Sequence, residues 1–174
     1  MAKIYGNTAA TPIKPDAFSG SENWRLINET TLTEDAYISF TQDKDGNPFS
    51  LKKLKVYVVL PSLKGWTDDT AAKPLWLYIN GVLLAATHSG ISVNTNSPAV
   101  YMMCEPDVIA KWRVTTVVHS SNATSAGQLY TAPMGHRYTS GTVPDTITSA
   151  GFSFTSSKSN LPTGTMIKIW GVDA

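Results

Sequence analysis

One cysteine in 174 residues, Cys104, rules out an intrachain disulfide, so the stability of this chain has to come from packing. Set in Val100-Tyr101-Met102-Met103-Cys104, that thiol reads as a buried apolar filler and not as a nucleophile. Charge is scarce as well. Only 16 % of residues are Asp, Glu, Lys or Arg, the net charge is +1, and no basic stripe marks a nucleic-acid partner. No run of about 18 apolar residues is available to cross a membrane, and Met1-Ala2-Lys3-Ile4-Tyr5-Gly6-Asn7 lacks the apolar core of a signal peptide. The expectation is a soluble product of the cytoplasm with neither nucleic acid nor membrane as partner. The glycosylation sequons Asn28-Glu29-Thr30 and Asn122-Ala123-Thr124 then read as chance matches.

Signatures of catalysis and metal binding are missing too. His88, His119 and His136 stand far apart, without H-x-H or H-E-x-x-H spacing, which disfavours zinc. No Gly-x-Ser-x-Gly elbow presents a serine nucleophile, and no Gly-x-x-x-x-Gly-Lys loop cradles phosphate. Glu105 and Asp107 flank Pro106 and would share a face only in an extended segment, the geometry a carboxylate pair requires. Asp43-Lys44-Asp45-Gly46-Asn47 has the alternating oxygens of a calcium loop. Counted from Asp43, however, Pro48 and Leu54 stand where an EF-hand needs Gly and Glu, so the segment reads as a turn in which Gly46 supplies positive φ and Asp45 bonds nearby backbone. The chain is expected to have no enzymatic turnover and to need no cofactor.

What is present is β structure punctuated by turns. Ser and Thr are abundant, aromatic residues make up 10 %, and long Ala, Glu, Leu and Lys runs are absent. Strands are expected at Trp24-Arg25-Leu26-Ile27, at 37–41, and at 54–60, where Leu54, Val56, Val58 and Leu60 share one face and Lys53 and Lys55 the other. Asn80-Gly81, inside Leu75 to Ala85, predicts a tight hairpin because both residues tolerate positive φ. Lys111 to His119 is rich in β-branched residues and reads as a central strand. Val100 to Met103 is a further strand candidate, and Pro106 to Lys111 fits one helical turn. Loops are expected at 62–74, 87–98 and 120–145. The last is long enough to be functional or to hide a strand.

Two segments read as hairpins. In the first, strand-like residues flank an Asp45-Gly46 turn; in the second, Gly151-Phe152-Ser153-Phe154 leads through Leu161-Pro162-Thr163-Gly164-Thr165 into Met166 to Val172. In that last strand Ile167 and Ile169 should face the core, while Met166, Lys168 and Trp170 meet solvent, an arm or a neighbour. Residues 1–23, with Gly6, Pro12, Pro15 and Gly20 and no sustained period, form an extended N-terminal arm ahead of a single domain at 24–174. The arm is expected to lie across its own domain or across a neighbour. With about eight strands, the fold class expected is all-β: a sandwich, jelly-roll-like.

The segment Asp43-Lys44-Asp45-Gly46-Asn47-Pro48-Phe49-Ser50-Leu51, together with Leu161-Pro162-Thr163-Gly164-Thr165-Met166-Ile167-Lys168-Ile169-Trp170-Gly171, resembles β-sandwich domains in structural proteins of tailed bacteriophages. There a "DxDGxPFxL" hairpin and a terminal "LPxGTxIxIxG" strand occur together. The resemblance covers 24–60 and 149–172, with Tyr78-Ile79-Asn80-Gly81-Val82 in addition. It implies a non-enzymatic virion subunit of the capsid, tail or baseplate, made in the host bacterial cytoplasm. It implies contacts with other virion proteins and with further copies, and no catalytic residue. Candidate interface residues are Ile4 and Tyr5 in the arm, Trp66 in a polar loop, and Trp170. The alternative is a receptor- or carbohydrate-binding module, with Tyr130, His136 and Tyr138 as a ligand loop for a host-surface glycan, since flat aromatic faces match sugar rings.

Overall fold

A computed structural model of the chain describes residues 22–61, 75–86, 95–106, 112–122, 125–130, 136–138, 145–154 and 160–174. These residues contain β1 (Arg25–Thr31), β2 (Ile38–Phe40), β3 (Leu51–Val59), β4 (Trp76–Ile79), β5 (Val82–Ala86), β6 (Thr95–Pro106), β7 (Trp112–Asn122), β8 (Ser125–Tyr130), β9 (His136–Tyr138), β10 (Ala150–Ser153) and β11 (Met166–Asp173). They form two sheets. The larger runs β1-β11-β3-β6-β7-β8, with β9 also on β7, and the smaller runs β2-β10-β4-β5. Every pairing in both is antiparallel.

Alternation explains why the larger sheet has one dry face. Leu54, Val56 and Val58 of β3 are fully buried, and they pair with Gly171, Ile169 and Ile167 of β11 on one side. On the other side they pair with Cys104, Met102 and Val100 of β6, so the buried set continues across the ladder. The smaller sheet contributes Phe40, Leu77, Ile79, Ala150 and Phe152, which belong to one hydrophobic cluster with Leu54, Val56, Val58, Ile167 and Ile169 of the larger sheet. Burying a Val, Leu, Ile or Phe side chain stabilises by about 1.5–3 kcal/mol, so this cluster is the main source of stability in a protein that has no disulfide. Gly171 sits where β11 passes Leu51: a Cβ built there would stand 2.5 Å from Leu51 Cδ1.

Several local expectations hold. Asn80 (φ 50°) and Gly81 (φ 78°) make the tight turn between β4 and β5. The final strand is internal to the larger sheet, between β1 and β3, with Ile167 and Ile169 buried. Trp112 and Val114 face the core on β7, which is an interior strand.

The two hairpin readings need correction. β2 lies in the smaller sheet and β3 in the larger, and the turn between them carries a single bridge, Gln42 to Pro48. Likewise β10 belongs to the smaller sheet and β11 to the larger, so the second segment is a connection between sheets and not a hairpin. A turn motif fixes local chain reversal only. Which ladder each flanking strand joins depends on distant partners, here β10 for β2 and β1 for β11.

One loop expectation changes: residues 95–98 belong to β6. The 120–145 segment does hide strands, as its length allowed, and holds the end of β7 together with β8 and β9. Pro106 closes β6, opposite Trp112, so the helical turn expected from Pro106 cannot start there; its residues 107–111 lie outside the described residues. The arm at 1–21 and the loops at 62–74 and 87–94 lie outside them too.

Candidate protein interface

The face of the larger sheet turned away from the core is built by the residues that alternate with the buried ones. Reading across the ladder, Leu26 pairs with Trp170, Trp170 with Lys55, Lys55 with Met103, and Met103 with Thr115. The next row is Glu29, Lys168, Tyr57, Tyr101 and Val117, and the row after it Thr31, Met166, Val59 and Ala99. Directly opposed residues of antiparallel strands share a face, so Trp170, Tyr57, Tyr101, Met103 and Met166 are neighbours on one surface. All five are half-buried. Burial, followed by the Glu105 charge, raises the Tyr101 phenol above its ordinary value of 10.0.

Three ion pairs lie on this face among the described residues. Lys168 Nζ reaches Glu29 Oε1 at 2.7 Å, Lys53 Nζ reaches Glu22 Oε1 at 2.6 Å, and Arg113 pairs with Glu105. The Lys55 ammonium stands 3.8 Å above the centre of the Trp24 ring. Apolar and aromatic side chains therefore lie among paired ions on this face. Glu22 and Trp24 carry a second point: the chain enters β1 by way of this face, held to two lysines of β3.

One polar cluster lies at the sheet edge and serves the fold. Asp43 Oδ1 accepts the amide protons of Asp45 and Asn47, each at 3.0 Å, and Arg25 Nη1 donates to Asp43 Oδ2 at 3.0 Å. Arg25 also grips Asp173 through Nε and Nη2 at 2.9 and 3.0 Å. The hydrogen bond from the Asn47 amide, helped by those from Arg25 and Asp45, holds the Asp43 carboxyl below its ordinary value of 3.8. Thus Asp43, two residues before the expected Asp45, organises this turn, while Asp45 pairs with Lys44. The Lys44 amide then donates to the Ile27 carbonyl at 2.6 Å, which covers part of the free edge of β1.

Of the residues singled out in the sequence, Trp170 lies on the outer face, while Ile4, Tyr5 and Trp66 are outside the described residues. Tyr130 is the last residue of β8, paired with Val118, and His136 and Tyr138 belong to β9, paired with Val114 and Trp112. These three therefore sit in strands and not in a loop. Leu26, Tyr57, Tyr101 and Met103 were not singled out, because only register brings them to Trp170 and to Met166, which alternation had already placed on the outer side of the last strand. The available signal was an apolar residue on each face of one strand, as with Tyr57 between Val56 and Val58 or Met103 between Met102 and Cys104.

Burial, more than the nearby Glu105, raises the Cys104 thiol far above its usual range, which leaves it unreactive. Among the described residues no group of three or more His, Cys, Asp or Glu is placed to hold a metal ion. No protein-family model matches the chain, and no curated protein matches it.

Proposed function

We propose that this chain is a non-enzymatic structural subunit of a tailed-bacteriophage virion, on the capsid, tail or baseplate, acting through protein-protein contacts. The observation that carries the contact part of this reading is the outer face of the larger sheet, with Trp170, Tyr57, Tyr101, Met103 and Met166 half-buried among paired charges. The virion part rests on the resemblance of the Asp43–Leu51 and Leu161–Gly171 segments. The fold proposed with it is a jelly-roll-like β-sandwich. In its support, the described strands pass from one sheet to the other six times, at β1-β2, β2-β3, β3-β4, β5-β6, β9-β10 and β10-β11.

Mass analysis of purified particles from a phage or induced prophage that encodes the chain tests the proposal. The chain should be present in fixed stoichiometric copy number, with the number distinguishing capsid decoration from a baseplate ring. Absence from intact particles would refute the virion reading. Glycan arrays probe the alternative: saturable sugar binding by the isolated chain, lost when Tyr130 and Tyr138 are replaced, would favour the receptor-binding module.

A further inference from the structure

We infer that the outer face of the larger sheet is the seat for residues 1–21 of a second copy of this chain, so that copies are linked by their N-terminal segments. The inference rests on the protein-contact reading above and names the partner. Three observations carry it: where the segment joins the domain, how long it is, and what it contains.

The segment joins the domain on the face in question. Glu22 is tied to Lys53 and Trp24 to Lys55, both on β3, so Glu22, into which residues 1–21 lead, lies on the outer face of the larger sheet. Its length exceeds that face. Six strands abreast, at about 4.8 Å between neighbours, span about 24 Å. Twenty-one residues in an extended polyproline-like conformation, at about 3.1 Å each, reach roughly 65 Å. Ile4 and Tyr5, near the far end, can therefore extend well past the domain they belong to.

The composition fits the seat. Pro12 and Pro15 disfavour helix and stiffen an extended chain, and such segments dock on aromatic-lined surfaces at low entropic cost. Ile4, Tyr5, Ile13 and Phe18 supply apolar anchors for the surface around Tyr57, Tyr101 and Met103. Sparse charge in the segment matches a face on which Lys53, Lys168 and Arg113 are already paired with carboxylates and Lys55 sits on Trp24.

A photoactivatable benzophenone side chain in place of Tyr101, in the full-length protein, tests this directly. Normal and 15N-labelled chains are mixed before irradiation, so that mass analysis of cross-linked peptides separates links between chains from links within one. The inference requires mixed-isotope links from position 101 to peptides within residues 1–21. It also requires a loss of about tenfold in their yield when Ile4 and Tyr5 are both replaced by Ala, the scale of a lost anchor residue. Links to residues 1–21 within single chains only would overturn it, as would links to the sheet of a second copy or no link to the segment at all. Particle analysis is independent of this outcome. A chain present in virions without such links refutes the seat alone, and links formed by a chain absent from virions refute the virion reading alone.

Discussion

Asp43 shows how one side chain can join three distant parts of a fold. Its carboxylate takes two amide protons of its own turn and one proton from Arg25, which in turn holds Asp173 on the last strand. Because the folded state holds this carboxyl below 3.8, the unfolded chain binds more protons in acid. Its contribution to stability is complete above the unfolded value and is lost as pH falls through the folded one. Melting curves of wild type and Asp43→Asn should differ by a constant gap near neutrality, and the gap should close below pH 3.8. Gly46→Val isolates the backbone: at φ 83° with nothing within 4 Å of an added Cβ, the cost is conformational strain alone, roughly 1–3 kcal/mol by denaturant titration. Gly171→Ala tests packing instead. Its Cβ would press on Leu51, and overpacking of this kind costs roughly 1–3 kcal/mol.

At the scale of elements, periodicity made much of the structure legible, and pairing did not follow from it. The Leu54-Val56-Val58 alternation, the Asn80-Gly81 turn and the Ile167-Ile169 face are readable because each is decided within a few residues. β8 and β9 escaped because a Gly-, Ser- and Thr-rich segment carries no alternation, and its pairing with β7 supplies the order. The sheet membership of β2, β10 and β11 was hidden for a different reason, since both turn motifs are also good hairpin turns. Of the candidate interface, Trp170 was visible from alternation on its own strand, whereas Tyr57, Tyr101 and Met103 join it only through the registers of β3, β6 and β11. The two faces of β11 predict opposite mutational outcomes. Ile169→Asp places an unpaired carboxylate in a fully buried site and should abolish folding. Lys168→Ala breaks a partly exposed pair with Glu29 and should cost less than about 1 kcal/mol. Circular dichroism melts of the two variants check both.

For the whole molecule, the two faces of the larger sheet have different work. The inner one joins the smaller sheet in the hydrophobic cluster; the outer one presents aromatic and sulfur-bearing side chains among paired ions, and Glu22 and Trp24 are held against it. The central claim is that this outer face makes contacts between proteins and is dispensable for the fold of one subunit. The most direct measurement is light scattering of wild type and Trp170→Ala at matched concentration, alongside a melting curve of each. The account predicts a smaller assembly for Trp170→Ala with a melting transition that stays cooperative and moves little, as when an anchor residue is removed from an interface. An unchanged assembly together with a collapsed melting temperature would contradict it, placing Trp170 in the folding core and the subunit contacts elsewhere.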